Sequence, residues 1–159
     1  MAASAAGPAA AGAAPAPAPP ARLVLVVAVA LLDARGRVLL AQRPAGKAMA
    51  GLWEFPGGKV DPGETPEAAL VRELAEELSI EVEPRDLQPL TFASHSYDSF
   101  HLLMPLYVCR RWRGEPHGAE GQALAWASGR GLGDFAMPAA DLPLLAPVVA
   151  AMAASGAGV

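Results

Sequence analysis

The chain has 159 residues, enough for one compact domain of the usual size, and it shows no internal repeat or second domain. Its net charge of −4 and pI near 5.3 argue against the broad positive surface that duplex nucleic acid requires, so we expect no stable nucleic-acid binding. The single cysteine, Cys109, excludes an internal disulfide and is typical of a reducing cytosol, which predicts a cytoplasmic protein.

The first 22 residues are rich in alanine and proline and carry almost no large apolar side chain. Such a segment cannot bury enough surface to fold alone, so we predict a disordered tail over residues 1–22. The apolar run 23–32 is predicted to be a buried strand, because Asp33 ends it too early for a membrane span. We therefore expect one domain over residues 23–154, a frayed end over residues 155–159 and no membrane association.

The rest of the chain alternates between strand and helix patterns, which predicts an α/β fold. Further strands are predicted at residues 38–43, 53–55, 87–94, 101–112 and 124–126. One helix is predicted over residues 66–78 and a final one over about 141–154, where Pro147 could kink the helix or shift its start. Together these elements predict a mixed β-sheet between helices.

The segment 58–80, which reads GKVDPGETPEAALVRELAEELSI, concentrates carboxylates on a loop and on the helix that follows it. Thr65 is the predicted N-cap, and Glu64 lies just before the helix. Glu73, Glu76 and Glu77 are spaced i, i+3 and i+4, so they share one helical face, while leucines form a separate apolar stripe. One side of the helix should pack on the core and the other should present carboxylates to a cleft.

Carboxylates this close together repel one another unless a multivalent cation lies among them. Hard oxygen ligands favour Mg²⁺, with Mn²⁺ as a substitute, and so indicate metal-assisted chemistry on a phosphate substrate. The alternative is an ordinary amphipathic helix with a solvated acidic face. Arg72 inside the acidic cluster, the glycine pair 57–58 and the Pro-Gly turn at 62–63 favour the metal site.

This segment resembles the Nudix box, G-x5-E-x7-R-E-U-x-E-E-x-G-U, at every position but one. The matching residues are Gly58, Glu64, Arg72, Glu73, Leu74, Glu76, Glu77 and Ile80. Ser79 stands where the pattern has a glycine that permits a left-handed end to the helix, so we expect Ser79 to cost about 1 kcal/mol of stability and to leave activity intact. The resemblance implies the Nudix fold, an α/β/α sandwich with a mixed β-sheet.

Across roughly residues 23–150 the chain is similar to MutT-type Nudix hydrolases, the nucleoside triphosphate pyrophosphohydrolases that remove oxidised guanine nucleotides. The similarity is carried by AQR at 41–43, WEFPGGK at 53–59, GEPHGAEGQ at 114–122 and MPAAD at 137–141. It implies hydrolysis of 8-oxo-dGTP to a monophosphate and pyrophosphate.

Three other interpretations remain open. The enzyme could prefer CTP or another pyrimidine nucleotide. It could trim triphosphorylated RNA ends, although the acidic charge argues against RNA. It could also be a non-catalytic sensor module, although such modules usually lose box glutamates and this chain keeps them all.

The resemblance also implies site residues. The metal ligands would be the carboxylates of Glu73, Glu76, Glu77 and Glu120 and the carbonyl of Gly57. Glu73 is the candidate for the base that takes a proton from water, with Glu120 as its competitor. Arg72 is expected to hold the glutamates in place through charge-assisted hydrogen bonds.

Arg43 and Lys59 are the expected phosphate contacts of the nucleoside triphosphate, with ordinary surface charge as the alternative for each. The candidate walls of a base pocket are Phe55, Tyr97 and Phe100, with core packing as the alternative for these aromatic residues. Nothing in the pattern requires a second subunit, and we expect a monomer.

Asp141 stands where MutT-type enzymes typically place an asparagine that reads the purine. An ionised aspartate only accepts hydrogen bonds, whereas asparagine also donates them, so Asp141 could still read the N–H edge of guanine with less hold on its O6. The competing interpretation is that Asp141 is the N-cap of the final helix.

Overall fold

The computed structural model describes residues 22–155, so the predicted tail (Arg22 apart) and the end of the predicted frayed segment lie outside the described residues. Its strands are β1 (Arg22–Leu31), β2 (Val38–Gln42), β3 (Trp53–Glu54), β4 (Gly57–Lys59), β5 (Gln88–Ser96), β6 (Phe100–Cys109) and β7 (Leu124–Ala127). Its α-helices are α1 (Pro66–Leu78) and α2 (Leu145–Ser155). No helix within residues 22–155 has both the length and the apolar character needed to cross a bilayer.

The strands form two sheets. The larger sheet has the order β4-β1-β6-β5, in which β1 runs parallel to β6 and the other neighbours are antiparallel. The smaller sheet has the order β3-β2-β7 and is antiparallel throughout. The predicted α/β fold with a mixed sheet is therefore confirmed.

Strand β1 separates two apolar cores. On one face Val29 belongs to a buried cluster with Leu70 and Leu74 of α1. On the other face Ala30 belongs to a cluster that includes Val148 of α2. Burial on both faces explains why this strand is an unbroken apolar run rather than an alternating one. The two helices cover opposite faces of the larger sheet, as in the α/β/α sandwich that the resemblance implied.

Helix α1 has the predicted ends. The Thr65 hydroxyl accepts a hydrogen bond from the Ala68 N–H at 3.1 Å, and Pro66 occupies the first turn. At the other end Ser79 adopts φ 55° and ψ 35°, and its N–H donates to the Ala75 carbonyl at 3.2 Å. The helix therefore ends in the left-handed conformation for which the box pattern has glycine, and Ser79 bears the strain of its Cβ atom there.

Several boundaries differ from the prediction. Helix α2 begins at Leu145, because Leu142–Leu144 form a 3₁₀ turn before it. Pro147 lies in the first turn of α2, where a backbone N–H would have no hydrogen-bond partner within the helix, so its missing N–H costs nothing there. Strand β6 ends at Cys109 rather than at residue 112. The pattern also missed β4, since glycine is depleted in strands.

Candidate active site

A cleft of about 570 Å³ is lined by residues of both sheets, of α1 and of the connecting loops. Glu73 and Glu77 of α1 and Glu120 of the loop before β7 face it, and we call these three residues the carboxylate wall. Tyr97, Phe100 and Asp141 line the same cleft, and we call them the Asp141 end. The fold thus brings residues from four separate stretches of sequence to one cavity.

Arg72 ties the loop before α1 to the glutamates on the helix. Its Nε and Nη2 donate to the two oxygens of Glu64, each at 2.8 Å, which lowers the pKa of Glu64 to about 2. Its Nη1 donates to Glu73 Oε1 at 2.9 Å and lies 3.4 Å from Glu76 Oε2. A guanidinium bound in this forked way sets the orientation of its partners as well as their charge.

The position of Glu73 also depends on a glycine. A Cβ atom built on Gly58 would collide with the Glu73 carboxylate, so this carboxylate can occupy its present position only because Gly58 has no side chain. The neighbouring Gly57 is restricted in the same way by the Val27 carbonyl oxygen and the backbone of Ala28 on β1. The glycine pair therefore lets α1 and β1 close around the start of the box.

The loop that carries Glu120 is bound to the carboxyl end of α1. The Ala119 N–H donates to the Glu77 carbonyl at 3.0 Å, and the His117 N–H donates to the Leu78 carbonyl at 3.2 Å. Gln122 bridges the two segments, because its Nε2 donates to the Glu77 carbonyl and its Oε1 accepts from the Glu120 N–H, each at 2.9 Å. Helix carbonyls that lack intrahelical partners thus position Glu120 beside Glu77.

The carboxylate wall is electrostatically unfavourable without a cation. Burial, reinforced by the charges of Glu73, Glu120 and Glu54, raises the pKa of Glu77 to about 8. Glu76 is apart from this group, since its side chain is 57% exposed and does not line the cleft.

The wall fits a hard divalent cation by its donor chemistry, because its carboxylate oxygens are the ligands that such ions prefer and their mutual repulsion is what a cation relieves. The side chains do not converge into a finished site, since no group of three or more His, Cys, Asp or Glu residues within 22–155 is arranged to hold an ion. Two of the three carboxylates of the wall are instead paired with basic side chains of the protein. Arg72 binds Glu73 at 2.9 Å, and Lys47 pairs with Glu120 at 3.6 Å.

The two expected phosphate contacts differ in their surroundings. Arg43 is bound within the protein, because its Nη1 donates to Glu54 at 2.8 Å and its Nε donates to the Ala48 carbonyl at 2.7 Å. Lys59 is exposed and lines the cleft. Phe55 lines the cleft as well but is only 3% exposed and belongs to the core, so both interpretations of this residue describe part of its environment.

Asp141 occupies the N-cap position of the 3₁₀ turn Leu142–Leu144 rather than of α2, and its side chain makes no capping hydrogen bond there. The residue is 5% exposed, and burial together with the nearby charge of Glu54 raises its pKa to about 7. Tyr97 and Phe100 stack on each other with ring centroids 4.9 Å apart. The Asp141 end is thus a carboxyl group beside a small aromatic surface.

Among the cleft residues that the sequence analysis missed, Glu54, Lys47 and Gln122 bear directly on the charges or the loop of the site. Glu54 and Gln122 lie inside stretches that carry the MutT resemblance, so a residue-by-residue comparison of those stretches could have identified them. Lys47 had no such signal, because a lysine in a glycine- and alanine-rich loop resembles ordinary surface charge.

Known proteins share this architecture. A family model described as NUDIX domain matches residues 27–147. The chain is 40% identical over 130 residues to the CTP pyrophosphohydrolase of Escherichia coli K12, a match that covers 80% of this chain and 93% of that protein. It is 37% identical over 121 residues to the 8-oxo-dGTP diphosphatase of the same strain, covering 76% and 92% respectively.

Among solved structures, the MutT NUDIX hydrolase from Burkholderia pseudomallei matches with a TM-score of 0.71 and 30% identity, covering 80% of this chain and 98% of that one. Nudix hydrolases generally use divalent metals, in keeping with the donor chemistry of the carboxylate wall. Because the family model spans most of the described domain, the chain belongs to the NUDIX family and is a Nudix hydrolase of the MutT type.

Proposed function

We propose that this hydrolase uses Mg²⁺ to cleave nucleoside triphosphates to a monophosphate and pyrophosphate, and that 8-oxo-dGTP is its substrate. The observation that carries the proposal is the single cleft in which the carboxylate wall and the Asp141 end face the same space. A polyphosphate at the wall and a base at the Asp141 end would occupy it together. The similarity to 8-oxo-dGTP diphosphatase supports this choice of substrate.

Hydrolysis of an internal phosphoanhydride needs charge neutralisation, a positioned water and a stabilised leaving group. The residues that would hold Mg²⁺ are Glu73, Glu77 and Glu120 with the carbonyl of Gly57, which line the cleft, and Glu76, which lies outside it on the same helix as Glu73 and Glu77. When bound, the ion supplies charge neutralisation and makes the attacking water more acidic.

The protein itself positions the base. Glu73 takes the proton from the water, and its carboxylate is held from two sides, by Arg72 at 2.9 Å and by the close approach of Gly58. Glu120 is the competing base on the opposite segment of the wall. Attack at the β-phosphorus breaks its bond to the oxygen that bridges to the α-phosphate, so the nucleoside monophosphate leaves and pyrophosphate remains.

Asp141 is the group that reads the base. Its buried carboxyl makes no hydrogen bond with any described residue, so its oxygens are free for a ligand. With a pKa of about 7, both protonation forms are accessible near neutral pH. The ionised form accepts from the N–H edge of guanine, whereas the protonated form donates and accepts as asparagine does, which matches O6 and an oxidised N7–H.

CTP is the second candidate. The relative named for CTP hydrolysis is 40% identical and is covered over 93% of its length. A protonated Asp141 would also match cytosine, whose exocyclic amine donates and whose ring nitrogen accepts.

Turnover with Mg²⁺ on 8-oxo-dGTP, dGTP, dATP, CTP and dCTP, with the products resolved, tests the proposal. A preference in kcat/KM for 8-oxo-dGTP with release of pyrophosphate supports it. A preference for CTP or dCTP would mean that the substrate carries cytosine instead of oxidised guanine, while the proposed reaction stays the same. If the wild type turns over no nucleotide of the panel faster than Glu73→Gln does, the proposed reaction is contradicted.

A further inference from the structure

The segment between β2 and β3 forms one edge of the cleft and carries Lys47 near its tip. Its base is fixed by two backbone hydrogen bonds, from the Arg43 N–H to the Leu52 carbonyl at 2.8 Å and from the Gly51 N–H to the Arg43 carbonyl at 2.9 Å. Gly46, next to Lys47, has a φ of 89°, which glycine adopts without strain. The loop therefore has a fixed base, and its exposed tip presents one cation to the cleft.

The contact made by Lys47 is weak and easily exchanged. Its Nζ lies 3.6 Å from Glu120 Oε2, and the side chains are 57% and 46% exposed. Ion pairs this exposed contribute little, because water and salt screen both charges. A ligand that carries several negative charges can therefore compete with Glu120 for the ammonium group.

The other two cationic side chains that line the cleft, Arg43 and Lys59, differ from Lys47 in how they are held or where they lie. Arg43 is held in place by hydrogen bonds from Nη1 to Glu54 and from Nε to the Ala48 carbonyl, so only its remaining N–H groups can reach a phosphate, from a fixed position. Lys59 lies next to Gly58 on the strand that enters the box. Lys47 approaches from the opposite segment, beside Glu120, and its flexible four-carbon stem and three donors suit a moving phosphate contact.

We propose that Lys47 is a polyphosphate-binding residue that leaves Glu120 when the nucleotide enters, so that one movement both contacts the phosphates and frees the Glu120 carboxylate from its ion pair. This inference rests on the proposed function, because it needs a ligand with phosphates beyond the first. Lys47 would contact the β- and γ-phosphates, which a triphosphate has and a monophosphate lacks.

Binding measurements on two pairs of ligands test this assignment. Isothermal titration with Mg²⁺ would compare α,β-methylene dGTP with dGMP, and α,β-methylene CTP with CMP, since the methylene bridge prevents cleavage. We expect Lys47→Gln to weaken binding of the triphosphate analogues by about tenfold, the scale of one charge-assisted contact, and binding of the monophosphates by less than about twofold. Lys47→Arg should restore most of the loss.

Arg35→Gln is the matched control, because it removes one positive charge at an exposed turn residue that does not line the cleft. An equal loss for triphosphate and monophosphate ligands, or a loss in Arg35→Gln as large as in Lys47→Gln, would overturn the assignment.

Wild-type turnover distinguishes failure of the role of Lys47 from failure of the proposed reaction. A wild-type enzyme that hydrolyses the panel while Lys47→Gln binds the analogues normally contradicts only the role of Lys47, and selective loss of binding without wild-type turnover contradicts only the reaction.

Discussion

The two regions of the cleft are built on opposite principles. At the carboxylate wall, Arg72 makes short hydrogen bonds to Glu64 and Glu73, and the loop with Glu120 is bound to the end of α1. At the other end, the Asp141 carboxyl is buried without a hydrogen bond to any described residue. The wall is held by hydrogen bonds within the protein, whereas the Asp141 carboxyl keeps its hydrogen-bonding capacity unused.

The largest effect should come from removing the charge of Glu73. Glu73→Gln keeps the size of the side chain and takes away the carboxylate that we propose as the base, so kcat should fall by about 10³-fold. Thermal unfolding should show that the fold is retained, and Glu115→Gln, on an exposed loop, serves as the control. Activity within about tenfold of the wild type would move the role of base to Glu120.

A change that leaves every carboxylate in place should also damage the wall. In Gly58→Ala the new Cβ atom displaces the Glu73 carboxylate, which is the movable end of that side chain, so kcat should fall by about 10²-fold and stability by only about 0.5 kcal/mol. Steady-state kinetics and urea unfolding measure the two effects. Gly63→Ala is a useful comparison, because its Cβ would meet no atom within 4 Å and only its φ of 85° would be strained, so it should lose stability without the kinetic defect. Equal kinetic defects in the two variants would mean that Glu73 is not the group displaced.

Asp141 should contribute a pH dependence of stability with the same sign as that of Glu77 on the wall, since burial raises the pKa of both carboxyl groups. Burial raises the pKa of Asp141 from 3.8 to about 7, so the folded protein binds this proton more tightly and loses stability as pH rises between those values. Asp141→Asn removes this dependence and should be more stable than the wild type at pH 8, by on the order of 2 kcal/mol, with little difference at pH 4.

Urea unfolding at pH 4, 6 and 8 measures the difference, with the exposed Asp98→Asn as the control. The same Asp141 variant should change the ratio of kcat/KM between 8-oxo-dGTP and CTP by about tenfold, because asparagine always donates and accepts. A difference in stability that does not vary with pH would contradict the burial of an ionisable carboxyl at this position.

The smallest effect should come from the end of α1. Ser79→Gly removes the strain of a left-handed residue with a Cβ atom and should stabilise the protein by about 0.5–1 kcal/mol, with kcat unchanged. Ser79→Ala keeps the Cβ atom and should gain nothing, which makes it the matched control in thermal unfolding. A gain in both variants would assign the effect to the hydroxyl group instead.

Local sequence signals predicted much of this protein. Helical spacing placed Glu73 and its neighbours on one face of α1, Thr65 was recognised as its N-cap, and the position of Ser79 predicted a left-handed residue that the structure confirms. The apolar run of β1 was predicted to be a buried strand because Asp33 ends it too early for a membrane span, and its burial on both faces explains why it does not alternate. The box pattern identified the family because its residues are close in sequence and belong to one loop and one helix.

The contacts between distant segments had no local signal. The sequence could not show that Arg43 is engaged by Glu54, that Lys47 lies beside Glu120, or that Asp141 is buried without acting as a cap, because each depends on how separate strands and loops pack. Residue chemistry and short-range spacing determine elements and motifs. The protonation, pairing and availability of a side chain are set by burial and by charges brought close in three dimensions, and only the tertiary structure decides those.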